Sequence, residues 1–259
     1  MVRKEGAVTT KLDHPSYPFP TVVEALCEVH FQLSQGQTWK PSLPGALFKR
    51  IQNEFPEMEP ALELGVQLEL GPHGVAQKVL PHRQRTRFKH ATRPLCLQLG
   101  ENVFTVNLLP KYPGWETMRK DVLKAWKQAQ ETLQPSTVTR IGLRFINCIE
   151  RESQEDRPAN WLKATDYIPP GVLTSEPGFL SRVEARLDSQ NRIIVTLGFQ
   201  SEGAHGAVVL DIDRIVETEF PPDVEALGDA MDRLHEDVWY AFNSAKGDKL
   251  ERLLVGGKQ

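Results

Sequence analysis

The chain has 259 residues, 40% hydrophobic and 25% charged, with a formal net charge of -3. These values describe an ordinary folded protein with one large core or two small ones, and exclude a collagen-like or wholly disordered chain. They make no global case for a polyanion binder, and no run of about 18 apolar residues is present to span a bilayer.

In chain order, the opening "MVRKEGAVTTKLDHPS" lacks the apolar stretch of a secretion signal and reads as a flexible tail over residues 1–16. Residues 22–33, "VVEALCEVHFQL", alternate: Val23, Ala25, Cys27, Val29, Phe31 and Leu33 on one side, Glu24, Leu26, Glu28, His30 and Gln32 on the other. That is a strand with a core face and a face bearing carboxylates and an imidazole. "LPGALFKRIQNEFP" carries Leu43, Leu47, Ile51 and Phe55 on one helical stripe, ended by Pro56. Residues 64–70 read as a short strand, the stretch 76–91 as another, and "PLCLQLGENVFTVNLL" as two strands around "GEN". "GWETMRKDVLKAWKQAQETL" is a helix with Met118, Val122, Ala125 and Ala129 in line.

Residues 137–149 alternate again, with Ile141, Leu143, Phe145 and Ile149 opposed to Arg140, Gly142, Arg144 and Ile146. After a polar, Pro-rich connection over 151–178, three alternating segments follow: "SRVEARLD", "NRIIVTLGFQ" and "AVVLDIDRIVE". A final helix starts after Asp223 as N-cap, carries Leu227, Met231, Leu234 and Val238 inward, and stops at Gly247. His235 falls one residue beyond that stripe, as a flank residue packing on a neighbour.

The order predicts an α+β fold of antiparallel sheets: a ferredoxin-like first half over 17–150, strand-helix-strands-helix-strand, then a three-strand meander and a long C-terminal helix over 151–259, packed on the first half. In the ferredoxin-like arrangement strands 22–33 and 137–149 are neighbours. Glu24 and Glu28 are spaced like Arg140 and Arg144, so a register pairing Glu24 with Arg144 and Glu28 with Arg140 sets opposite charges across the ladder. Glu24, Glu28, His30, Arg140 and Arg144 thus form either ion pairs that fix register or the wall of a polar cleft.

Other chemistry is sparse. No phosphate-binding Gly-rich loop or nucleophile elbow is present. Cys27, Cys96 and Cys148 suit core thiols in a reducing compartment, which points to the cytoplasm. His73, His82 and His90 lack metal-ligand spacing. Asp211 and Asp213, on one side of a strand, with Glu184 are weak candidates for a cation site. No acidic residue lies between Glu69 and Glu101, where Lys78, Arg83, Arg85, Arg87, Lys89 and Arg93 fall. In an extended segment Arg83, Arg85, Arg87 and Lys89 share a side, as a stripe that tracks phosphates, docks an acidic protein or protects a sheet edge.

"YPFPTVVEALCEVHF", "FP" after the first helix, "YPGWETM", "RIGLRFIN", "LDID" and "LHEDVWYAFNSAKGDKL" follow in that order. Together they resemble an uncharacterised bacterial family of about this length, sporadically distributed across genomes. Its most specific elements are the paired Glu residues, Tyr-x-x-Trp-Glu and Arg-x-Gly-Leu-Arg-aromatic-x-Asn. The chain departs from the family pattern where Phe19 separates Pro18 from Pro20, and at Cys148. The resemblance implies no activity or cofactor; the patchy distribution implies a defence or toxin–antitoxin setting. The expectation is a non-enzymatic binding or regulatory module with a protein partner and no cofactor. The second reading is a nucleic-acid-binding protein working through 78–93, or a metal-dependent nuclease built on Asp211, Asp213 and Glu184.

Overall fold

The computed structural model describes residues 14–63, 66–71, 74–79, 83–201 and 203–257. The tail expected over 1–16 lies outside the described residues except for 14–16, and His14 packs its ring 4.7 Å from that of Trp239.

Eleven strands and six helices follow in the order β1 (Val22–Leu33), α1 (Leu43–Ile51), β2 (Glu57–Glu63), β3 (Val66–Gly71), β4 (Gly74–Val79), β5 (Arg83–Lys89), β6 (Leu95–Gly100), β7 (Val103–Leu108), α2 (Trp115–Leu133), β8 (Pro135–Glu150), α3 (Pro158–Trp161), α4 (Pro170–Leu173), β9 (Leu180–Arg186), β10 (Asn191–Gln200), β11 (Ala207–Val216), α5 (Val224–Ala245) and α6 (Asp248–Gly256). Nine strands form one antiparallel sheet, ordered β2-β5-β6-β7-β1-β8-β11-β10-β9; β3 and β4 pair separately. The fold is therefore α+β. The sheet is more extensive than expected: the meander β9–β11 is no separate layer, because β11 pairs with β8 along its whole length. The second half extends the sheet edgewise, so β9–β11 do not form a layer over the polar face of β1.

The alternation dictates this layering. Ala25, Cys27, Val29 and Phe31 are at most 1% exposed, and they meet Leu97, Phe104, Val106, Ile141, Leu143 and Ile212 on one face of the sheet. The helices cover that face. α5 lies over β8 and β11, and α2 over β7 and against both α1 and α5. Met118, Val122, Ala125 and Ala129 face the core as their spacing requires, and so do Leu227, Met231, Leu234 and Val238. Trp126 fills the centre between Phe31 and Phe104, ring centroids 6.0 Å from each, and its indole donates to the Pro222 carbonyl at 2.7 Å. Asp223 caps α5 by accepting from the Ala226 amide at 2.8 Å.

Arg214 is a buried exception on the helix side: its guanidinium meets Asp237 of α5 at 2.8 Å and also reaches Asn191 and two backbone carbonyls. Gly247 does not only stop α5. It is the N-cap of α6, an element the sequence reading lacks, and its amide donates to Trp161 at 2.8 Å. No helix among the described residues is long and apolar enough to cross a membrane.

Candidate functional site

The open face of the sheet holds the polar residues singled out in the sequence. Their register differs from the expected one. Glu28 stands opposite Gly142, His30 opposite Arg140, Leu26 opposite Arg144 and Glu24 opposite Ile146. The displacement goes with bulges at both ends of the β1–β8 ladder.

Glu28 is the hub. Its Oε1 accepts from Arg140 Nη1 at 2.6 Å and lies 2.8 Å from His30 Nε2, while Oε2 accepts from Arg85 Nη2 at 3.0 Å. Burial alone would raise its pKa, but hydrogen bonding to His30 and the pull of Arg85 and Arg140 hold it well below the usual carboxylate range. Glu24 instead accepts from Asn107 Nδ2 at 2.7 Å. Arg144 turns away from β1 and grips Asp211 of β11 through two bonds, 2.8 and 2.6 Å.

The basic stretch lands on the same face. Arg85 is 6% exposed and bound to Glu28 and Thr105. Arg87 meets Glu59 at 3.4 Å, and Lys89 meets Glu59 at 2.9 Å and Glu57 at 3.8 Å. β2 runs outside β5 and supplies those carboxylates, so β5 is no sheet edge and the expected stripe is neutralised along its described length. The side chains of Lys78 and Arg83, together with His73 and His82, lie outside the described part of the structure. His90 Nδ1 accepts from the Thr92 and Arg93 amides, closing a turn.

Asp211, Asp213 and Glu184 share the face without converging. Asp211 is held by Arg144, and Glu184 lies 3.5 Å from Arg182 and 3.6 Å from Arg192. Among the described residues no group of three His, Cys, Asp or Glu side chains is placed to hold a metal ion. Asp213 faces a basin of about 410 Å³ walled by Glu28, Arg85, Arg87, Gln98, Arg140 and Arg144.

A larger cavity lies on the helix side, and sequence reasoning missed it. It measures about 590 Å³ and opens between residues 14–22, the turn 112–117 and α5. Aromatic rings make its walls: Tyr17, Tyr112, Trp115, Phe145, Trp239 and Phe242. Trp115 and His235 stack face to face, centroids 3.8 Å apart and planes within 4°. Tyr17 stacks on Trp239 at 6.0 Å. At the lining, Thr21 Oγ1 donates to Asn147 Oδ1 at 3.0 Å, a buried polar pair; His14, Glu116, Asp232 and Glu236 add polar groups to the cleft. Burial pushes the Tyr112 hydroxyl pKa up, so the phenol stays protonated. Two of the sequence motifs contribute here: Tyr112, Trp115 and Glu116 from Tyr-x-x-Trp-Glu, and Phe145 and Asn147 from Arg-x-Gly-Leu-Arg-aromatic-x-Asn. His235, 7% exposed, lies against Trp115 as a packed wall.

No protein-family model and no curated protein matches this chain.

Proposed function

We infer that this chain is a non-enzymatic binding module whose ligand occupies the aromatic cleft. One observation carries the reading: a cleft of about 590 Å³ whose facing walls are rings, with one buried hydroxyl–amide pair among them. Sites for small molecules have this size and combine aromatic walls with polar groups that fix orientation. Paired rings recognise a flat apolar body by stacking, and the Thr21–Asn147 pair offers orientation.

Several finer readings belong to the same proposal. The order β8-β1-β7-β6 supports a ferredoxin-like unit at the centre of the sheet. Cys27, Cys96 and Cys148, present as thiols and not as disulfides, support a cytoplasmic location. The sequence resemblance is the support for a regulatory role with a protein partner in a defence or toxin–antitoxin setting. The nucleic-acid reading has weaker support, since Arg85, Arg87 and Lys89 already face carboxylates.

The test uses indole and 1-anilinonaphthalene-8-sulfonate as flat probes, followed by tryptophan emission and thermal shift. Both should bind the wild type, and Trp239→Ala with Phe242→Ala should weaken them by about tenfold or more, roughly 1.4 kcal/mol. Absence of binding, or binding untouched by the double substitution, rejects the cleft as the ligand site.

A further inference from the structure

We propose that β9 is a self-pairing edge: two copies of this chain join antiparallel along Leu180–Arg186, about a two-fold axis at Val183, and form one continuous sheet. The inference is independent of the aromatic cleft, none of whose lining residues lies on β9.

The two edges of the nine-stranded sheet are built differently. β2, at one end, carries Pro60, which donates no ladder hydrogen bond, and Glu57, Glu59 and Glu63, like charges that repel a second β2. β9, at the other end, has no proline and pairs with β10 in an unbroken register, from Leu180 opposite Gly198 to Arg186 opposite Arg192. Among the described residues only β10 hydrogen-bonds to the backbone of 180–186, so the outer N–H and C=O groups of β9 are open to another strand. Large apolar side chains mark both ends of this edge: Leu180 is 75% exposed and Leu187, just past the strand, 47%.

The sequence of β9 selects both the partner and the register. A two-fold axis normal to the sheet keeps each face of the strand on its own side, so two residues meet across the axis only when they share a face. Centred on Arg182, the pairing sets that guanidinium against its own copy. Centred on Glu184, it sets Glu184 against its copy and Arg182 against Arg186. Centred on Val183, all seven residues of β9 pair, and Arg182 meets the second copy's Glu184 on both sides of the axis. The same centre brings Val183 beside its copy on the helix side, where it is half-buried opposite Val195. On the open face it lays Leu180 along the stem of the second copy's Arg186.

Within one chain these charges are loosely engaged. Arg182 and Glu184 lie 3.5 Å apart with side chains 48% and 42% exposed, and Arg192 stands 3.6 Å from Glu184. Both can turn to a second copy without leaving a buried charge behind. A pairing of seven residues lies at the small end of specific interfaces, so the dimer should exchange with monomer at a Kd of about 1–100 μM.

Sedimentation velocity of the full chain from about 1 to 300 μM reads this equilibrium, and the wild type should pass from monomer to dimer across the range. Arg182→Glu and Glu184→Arg, each alone, set like charges together on both sides of the axis and should weaken association about tenfold or more. Combining the two substitutions in one chain restores the opposite pairs. So does an equimolar mixture of the two single variants, in which one copy brings two carboxylates and the other two guanidiniums. Both should associate within about threefold of wild type, which a misfolded variant would not do. A wild type that stays monomeric, a dimer indifferent to the single reversals, or a loss that neither combination restores overturns the proposal.

Discussion

Glu28 Oε1 accepts a hydrogen bond from Arg140 Nη1 at 2.6 Å although the two residues are not cross-strand partners: Glu28 stands opposite Gly142, two pairs along the ladder from the His30–Arg140 pair. The bond is diagonal. The glycine opposite leaves the space through which the guanidinium reaches, and Arg85 of β5 approaches the same carboxylate from the other side, across β6 and β7.

That geometry makes Glu28 the anion on which two guanidiniums depend. Glu28→Gln removes the charge and keeps the shape. It removes the carboxylate that Arg85, its side chain only 6% exposed, meets at 3.0 Å. The expected cost is about 3–5 kcal/mol, the range for breaking a buried pair from one side. Urea denaturation measures it; a loss under about 1 kcal/mol would place the pair among surface ion pairs.

The carboxylates predict opposite slopes with pH. Glu28 titrates below its unfolded range, so its contribution is complete above about pH 4–5 and is lost as pH falls further. Asp213 goes the other way. Its folded pKa, about 6, exceeds the unfolded value of 3.8, so folding favours its protonated form and stability declines as pH rises from 3.8 through 6. The groups acting on it are Arg144 and Arg140 of β8, Asp211 of its own strand and Glu28 of β1. Asp213→Asn should flatten this decline, a gain of at most about 3 kcal/mol at neutral pH. Melting curves between pH 4 and 8 check it, and an unchanged slope in the variant would refute the assignment.

Arg85 and Arg87 look alike in the sequence, as two charges of one stripe whose reversal should spare the fold. Burial separates them. Arg87 is 41% exposed on its side chain and pairs with an exposed Glu59, so Arg87→Glu should cost only about 0–1 kcal/mol. Arg85→Glu sets a carboxylate against Glu28 in a buried place and should cost more than about 3 kcal/mol. Circular dichroism melts of the two single variants, side by side, decide this.

Gly247 is held by a close approach. A Cβ there would lie 2.6 Å from the Trp161 carbonyl oxygen and 3.0 Å from its carbon, both backbone atoms. Gly247→Ala must part α6 from α3, at about 1–3 kcal/mol. A melting temperature equal to wild type would show that the contact yields freely.

Strands with one apolar face turned to the helices were legible. In β1, β6, β7 and β8 the alternation of apolar and polar side chains reports directly which face meets the helices. β2 was not, because Pro60 argues against a strand. It is tolerated there because β2 is the outermost strand and pairs on one side only. The charge partners were half legible. Spacing showed that Glu28 and Arg140 would meet, but bulges, which leave no mark in hydrophobic period, moved the register and gave Arg144 to Asp211. The aromatic cleft was illegible for a different reason. Its rings come from residues 14–22, 112–117, Phe145 and 235–242, each of which reads locally as core or turn, and only the fold gathers them.

The strand at the middle of the nine-stranded sheet comes before its partners in chain order. β1 ends at Leu33, while its two neighbours are β7, beginning at Val103, and β8, ending at Glu150. At ordinary synthesis rates of about 5–20 residues per second, β1 waits on the order of ten seconds before both partners exist. Throughout that interval Ala25, Cys27, Val29 and Phe31 have no sheet to enter, and both hydrogen-bonding edges of the strand are open. The carboxylates of Glu24 and Glu28, later the anchors of the polar face, are during this time the charges that discourage one nascent chain from pairing with another.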